Sequence, residues 1–227
     1  MDLMEGIRSR KSIRAFRPDA VPDDVLMEIL EASIRAPSSV NLQPWEFFVV
    51  RRQALKELKT MNLEEHRRGR KPDPEIPIGE TRGMSAVLEG IFRERQIELA
   101  KQIFKIMGIP KGDKEGMEAW NERMVQFYDA PAVIIIVMDK ILEVKWPLVS
   151  IGLVIENIVL GAQAYGLGTC IMRAIVDYPD KVRKIVGIPE SKRTIVGIAI
   201  GYPDEDHPIY QLETRREQIE KIVTFVG

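Results

Sequence analysis

The sequence predicts a mixed domain of helices and strands, and three stretches carry that expectation. Ala132 to Met138 (AVIIIVM) is apolar at every position, as a central strand covered on both faces must be. Trp45 to Val50 (WEFFVV) joins aromatic to β-branched residues, the composition of a strand. Trp146 to Tyr165 reads as a helix apolar nearly all round, with Glu156 and Asn157 as exceptions, which suits burial in a core or between subunits.

The remaining elements follow in order. Asp2 to Ser9 is expected to be a short helix. A second begins near Pro22, whose fixed φ suits a first turn that also carries Asp23 and Asp24. Leu26, Ile29, Leu30 and Ile34 share one face of it, and it should stop before Pro37. Ser38 to Gln43 is a polar loop, and Arg52 to Arg68 has helical spacing after the first strand. From about residue 66 to 83 the text is charged and broken by proline, a surface excursion. Ser85 to Met107 and Lys114 to Phe127 then read as helices. Thr169 to Met172 and Thr194 to Gly201 supply further strands, and Arg216 to Phe225 a short terminal segment. The chain is expected to be one domain, 1–227, with a helical excursion at about 66–122.

Composition narrows the function classes. The 227 residues include 33 Lys and Arg against 34 Asp and Glu, so no global field favours nucleic acid or an anionic membrane. The basic run Arg67 to Lys71 reads as a solvated face. Ala130 to Met138 is too short to span a bilayer. The amino terminus lacks the apolar stretch of a signal peptide, and one cysteine, Cys170, suits a reducing compartment; the cytoplasm is the expectation. His66 and His207 are the only histidines, and no metal motif is present. Asp204 to Asp206 reads as a solvated loop rather than a cation site.

Three segments could hold chemistry. Arg10, Lys11, Ser12 and Arg14 put two guanidinium forks, an ammonium and a hydroxyl within five residues, a donor set for a phosphate dianion. Cations at the negative end of a solvated helix would look the same. Ser38, Ser39, Asn41 and Gln43, held between two prolines, could bond the imide edge or ribityl hydroxyls of a flavin, although the same residues form ordinary turns. In YGLGTCIMRA, Gly166 and Gly168 would let a flat ring approach the backbone, or would simply stop a helix. There is no GxGxxG fingerprint and no phosphate loop.

Taken together and in this order, RSRKSIRAF, ILEASIRAPSSVNLQPWEFFVV, YGLGTC and GIAIGYPDED followed by TRREQIEKIV resemble the FMN-dependent nitroreductase family. The resemblance implies an α+β fold with a mainly antiparallel central sheet flanked by helices, in an intertwined homodimer. It implies FMN at the subunit interface, held at its phosphate and ribityl end by Arg10, Lys11, Ser12 and Arg14 with Arg216 and Arg215. The partner chain would add Pro37, Ser38, Ser39, Asn41 and Gln43, and Ile171, Met172 and Arg173 would line the ring. The implied activity is hydride transfer from NADH or NADPH to the flavin and on to a nitroaromatic, quinone or related small-molecule acceptor by a ping-pong cycle. No protein acid, base or nucleophile is then obligatory.

The chain departs from many relatives at Met172 and Arg173. Arg173 either faces the cleft and favours anionic substrates, or pairs with an acid such as Asp177 at a strand end. Arg123 is a further candidate contact. The excursion is expected to cover the cleft, with Phe92, Phe104, Met107 and Trp120 as wall residues; the alternative is that they pack on the core. Cys170 reads as a buried thiol, since no second cysteine can resolve it. Competing functions are a flavin-binding sensor or storage module without turnover, reductive dehalogenation and flavin cleavage.

Overall fold

The computed structural model describes residues 2–77, 79, 81–82 and 85–227. Helices α1 (Leu3–Ser9) and α2 (Asp23–Ser33) lead to strand β1 (Glu46–Arg51) and helix α3 (Arg52–Arg67). A two-residue pair, β2 (Thr81–Arg82) and β3 (Ser85–Ala86), precedes α4 (Gly90–Ile106) and α5 (Lys114–Val125). Then come β4 (Ala132–Asp139), α6 (Pro147–Ala164), β5 (Gly168–Met172), α7 (Pro179–Val186) and β6 (Lys192–Gly201). The main sheet has the order β1-β4-β6-β5, and every neighbouring pair is antiparallel. This is the α+β architecture that the resemblance implies.

Strand β4 divides the protein into two cores. Successive side chains of a strand point to opposite faces, so Val133, Ile135 and Val137 join Leu55, Leu58, Trp120, Phe127 and Val182 on one side. Ala132, Ile134, Ile136 and Met138 join Leu26, Ile29, Ile151, Val154 and Ile158 on the other. None of the seven is more than 1% exposed. At one end of the strands, Lys192 bonds the Glu46 carboxylate and lies 3.2 Å from that of Asp139. The ladder between β4 and β6 shifts register at Ile136/Val137.

Two helix boundaries differ from the sequence reading. The helix expected from Ser85 begins at Gly90, which takes φ 55° and so cannot continue a right-handed helix back into the preceding segment. The helix expected to reach Phe127 ends at Val125, because Phe127, Tyr128 and Asp129 adopt φ of 59°, 53° and 65°. Three successive non-glycine residues in the left-handed region are costly. Full burial of Phe127 and the tilted contact of Tyr128 with Trp120, with centroids 5.5 Å apart, hold the turn.

Helix α6 meets the second core through Ile151, Val154, Ile158 and Ala162, while Val149 and Leu153 stay exposed within one chain. Burial is therefore one-sided, not all round, because only one face meets the sheet. Gln163 ties α6 to α1 by donating to the Gly6 carbonyl at 3.0 Å.

Candidate flavin site

The basic segment reaches its place by joining the sheet edge. Ser12 pairs with Thr169 of β5, and the Ile13 N–H donates to the Thr169 carbonyl at 2.9 Å. Further along, the Arg17 N–H donates to the Tyr202 carbonyl and the Asp204 N–H to that of Ala15. An extended segment alternates its side chains, which separates the basic cluster into two sets. Arg10, Ser12 and Arg14 gather around Cys170: burial pushes its thiol up, while the Arg14 and Arg10 charges and a Ser12 hydrogen bond pull it down. Lys11 goes the other way. Its Nζ donates to the Tyr210 carbonyl at 2.5 Å and lies 3.6 Å from the centroid of the Tyr210 ring.

Gly168 explains how the segment comes so close. A Cβ there would lie 2.3 Å from Ile13 Cγ1 and 3.0 Å from Ile13 Cβ. The backbone approach that glycine permits is thus made by Ile13 and not by a ring. Gly166, with φ 68°, ends α6, and the Leu167 N–H returns to the Ala162 carbonyl at 3.0 Å.

Two cavities flank the segment. One, of about 230 Å³, is lined by Arg10, Lys11, Ile13, Gly168, Glu205 and Tyr210 among others. The second, of about 240 Å³, is lined by Arg14, Met124, Tyr128, Cys170, Ile171, Met172, Arg173 and Ala174. It brings Arg14 together with the Ile171–Arg173 stretch, two parts of the expected site 157 or more residues apart in sequence. Met124 and Tyr128 are wall residues that the sequence reading missed. The left-handed turn puts Tyr128 there, and nothing in a helical pattern signals such a turn. Burial pushes the Tyr128 phenol up and keeps it neutral.

Arg173 makes one of the two contacts expected of it, the pair with Asp177. It lines the second cavity, and its Nε and Nη2 lie 3.1 and 3.2 Å from the two oxygens of Asp177. Asp177 is buried, and burial pushes its carboxyl up to about 6 against the pull of Arg173. Behind the cavity floor, buried Asn62 donates to the carbonyls of Ala174 at 2.7 Å and Val125 at 3.3 Å, fixing the turn after β5 to the end of α5.

The Ser38–Gln43 loop is held internally. Ser38 Oγ accepts from the Gln43 N–H at 2.9 Å, and Gln43 Nε2 donates to Asn41 Oδ1 at 3.1 Å. Val40, Asn41 and Gln43 take φ of 46°, 57° and 46°, and Val40 is 93% exposed. A β-branched residue in that region is an outlier. Pro37, Ser38, Ser39, Asn41 and Gln43 line neither cavity.

Other expected residues lie elsewhere. Arg215 and Arg216 line a separate cavity of about 360 Å³ against Arg95, Glu98 and Leu99 of α4. Arg216 donates to Thr214 Oγ1 at 2.8 Å and Arg215 lies 3.9 Å from Glu98. Arg123 meets His207 Nε2 at 2.7 Å and Asp129 at 3.8 Å. The wall residues proposed for the excursion divide: Trp120 is buried in the first core, Phe104 and Met107 pack against it, and Phe92 is 63% exposed. Core packing accounts for the first three, since apolar side chains at helical spacing reach the nearest sheet face. The basic run is paired rather than simply solvated: Arg67 bonds Glu122, and Arg68 and Arg70 bond Glu65.

The nitroreductase family model matches residues 7–202. The chain is 27% identical to the 4-nitrobenzoate reductase of a Nocardioides species over 97% of its own length and 88% of that protein's. It is 30% identical to an NADH dehydrogenase of Thermus thermophilus, over 95% of this chain and 94% of the relative. Among solved structures, the FMN-dependent nitroreductase of Mycobacterium smegmatis in complex with NADPH superposes with a TM-score of 0.89. That match is 25% identical and covers 99% of this chain and 97% of the other.

Proposed function

The chain belongs to the nitroreductase family, and from that premise we propose that it is an FMN-dependent oxidoreductase that takes hydride from NADH or NADPH and reduces nitroaromatic, quinone or related conjugated acceptors. The observation that most supports this reading is the convergence of Arg14 with Ile171–Arg173 on one cavity, beside Arg10 and Ser12. That donor set fits FMN: Arg10 and Ser12 suit its phosphate end, and Arg14 the polar edge of its ring. Ile171 and Met172 offer apolar contact to the ring, and Gly168 lets the basic segment sit against β5.

Bound FMN supplies the redox chemistry, accepting hydride from the nicotinamide and returning electrons to the acceptor, so donor and acceptor take turns at one site. The chain's own residues bind, orient and shape access. Arg14 would hold a permanent positive charge beside the cofactor's polar edge. Tyr128, kept neutral by burial, offers a hydroxyl at the wall without adding charge. Lys11, engaged by Tyr210, instead fastens the segment to the chain that follows β6.

Completion of the site calls on a second copy of the chain in a cytoplasmic homodimer. The strained, exposed Val40–Gln43 turn is of the kind that persists where a partner surface uses it. By length and composition alone, α6 (18 residues, mean hydropathy 1.5) would pass for a membrane span. Yet one face already covers the sheet, and the outer stripe of Val149 and Leu153 is interrupted by exposed Glu156. Such a stripe suits isologous pairing.

The test is the visible spectrum of the purified protein, identification of the released cofactor by mass spectrometry, and anaerobic addition of NADH and then NADPH. Bound FMN should bleach with a donor and recover with a nitroarene or quinone. A protein that takes up no FMN would sink the reading. Bound FMN inert to donors and acceptors would favour the sensor alternative.

A further inference from the structure

Tyr128 reaches the second cavity by a costly route. It is the middle one of three left-handed residues, Phe127 to Asp129, none of them glycine. Strain of this kind persists only where the surroundings over-determine it, and it collects at functional sites. Here Phe127 and Ala130 are fully buried on either side, and Lys59 Nζ, from α3, donates to the Ala130 carbonyl at 2.8 Å. The Tyr128 ring is tilted 41° against that of Trp120. The turn thereby brings the phenol to the wall shared by Arg14 and Cys170, where its oxygen takes a hydrogen bond from Arg14. Resting on the flavin-dependent reading above, which assigns Arg14 to the cofactor, we propose that Tyr128 is a positioning residue: its hydroxyl holds the Arg14 guanidinium at the flavin cavity and, through Arg14, sets the affinity of the bound cofactor for electrons.

Two uncharged acceptors grip Arg14. Its Nη1 donates to the Ser12 carbonyl at 3.1 Å, and the Tyr128 oxygen is the other. A carboxylate in either place would hold the side chain as firmly but would oppose its field inside the cavity. Burial pushes the Tyr128 phenol up, so the residue grips as a neutral dipole. Cys170, which also lines the cavity, is kept neutral in the same way. These neighbours therefore fix the position of the cation and leave its charge in place.

The two acceptors also belong to different parts of the fold. Ser12 pairs with Thr169 at the edge of the sheet, whereas Tyr128 sits between α5 and β4. A long side chain tied to both is confined to one orientation, and tied to one it can turn away. Adding electrons to a ring beside a held cation is favoured by that charge, and less so when the cation is free to swing.

The experiment compares the parent with Tyr128→Phe, which keeps the ring against Trp120 and removes only the hydroxyl, with Arg14→Gln, and with the double variant. The main readout is the midpoint potential of the flavin in each holoenzyme, equilibrated against a reference dye; the second is the dissociation constant of FMN. Tyr128→Phe should lower the potential by about 15 mV, a roughly 3-fold loss of preference for the reduced cofactor, since a tenfold change is about 30 mV for a two-electron couple. Arg14→Gln should lower it by about 30 mV or more. FMN should bind about 3-fold more weakly to Tyr128→Phe, as expected for loss of one hydrogen bond that orients its ligand. The double variant should match Arg14→Gln, because Tyr128 acts through Arg14. A Tyr128→Phe potential equal to that of the parent overturns the inference, as does a double variant that adds the full Tyr128 shift to that of Arg14→Gln; both leave the flavin-dependent reading intact. A protein that binds no FMN removes both.

Discussion

Replacing Gly168 by alanine tests whether the basic segment owes its position to the absence of one side chain. The new Cβ would lie 2.3 Å from Ile13 Cγ1, 3.0 Å from Ile13 Cβ and 3.1 Å from Pro203 Cγ. Carbon atoms pack at about 3.5–4.0 Å, so Ile13 must retreat by roughly 1 Å. Rotation does not relieve the contact, because Cβ itself is involved and a β-branched side chain has few rotamers. The backbone has to move, which strains the 2.9 Å bond from the Ile13 N–H to Thr169 and carries Ser12 and Arg14 with it. Overpacking of this kind costs about 1–3 kcal/mol. If most of that cost falls on the bound geometry, FMN affinity should drop about 10-fold or more. The assay is titration of the apoprotein with FMN, followed by quenching of flavin fluorescence, alongside thermal unfolding. Gly168→Ala/Ile13→Ala, which removes Cγ1, the nearer of the two Ile13 atoms, should recover part of the loss, so the two changes should not add. Unchanged FMN affinity in Gly168→Ala would refute the reasoning.

Glu65, 3% exposed, accepts from Lys181 at 2.6 Å, Arg68 at 2.9 Å and Arg70 at 3.0 Å, and these bonds bring its carboxyl down to about 2. A depressed carboxyl stabilises the fold above its ordinary value of 4.5, and that stabilisation is lost as pH falls toward 2. Glu65→Gln should therefore cost roughly 2–3 kcal/mol at neutral pH, lowering Tm by about 5–10 °C, and the gap from the parent should close in acid; a gap that is constant with pH contradicts this. Val40→Asn should raise stability by about 1 kcal/mol, because Asn tolerates the left-handed region, and thermal unfolding that shows a loss would count against the strain. Cys170, whose thiol is pushed up by burial, should react with iodoacetamide at neutral pH at least about 10-fold more slowly than in the unfolded chain, as mass spectrometry of timed samples can show.

The fold was legible where one pattern dominated its segment. Ala132–Met138 is apolar at every position and became the central strand, and Pro22 with two acids after it marked the start of α2 within one residue. The basic cluster was legible as a set of residues but not as a geometry. Only pairing with β5 sends Lys11 to one cavity and Arg14 to the other, and that pairing is a contact between residues 157 apart. Tyr128 was invisible for a different reason: its place depends on three left-handed residues held by burial, and no local propensity favours them. Arg173 was readable only as two options, because sequence does not show which group a cation will meet; the structure gives the pair with Asp177.

The uniform apolarity of β4 leaves that strand without an address. In a half-buried strand, a slip by one residue turns polar groups into the core and is rejected; here every residue from Ala132 to Met138 would find an apolar environment on either side. The information that aligns the sheet must come from outside the seven residues. Lys192 is placed to provide it, since one ammonium on β6 meets acids of both β1 and β4, Glu46 and Asp139, only when all three strands are in step. A polar cluster at the rim thereby acts as the pin of a combination lock whose wheels carry no markings of their own.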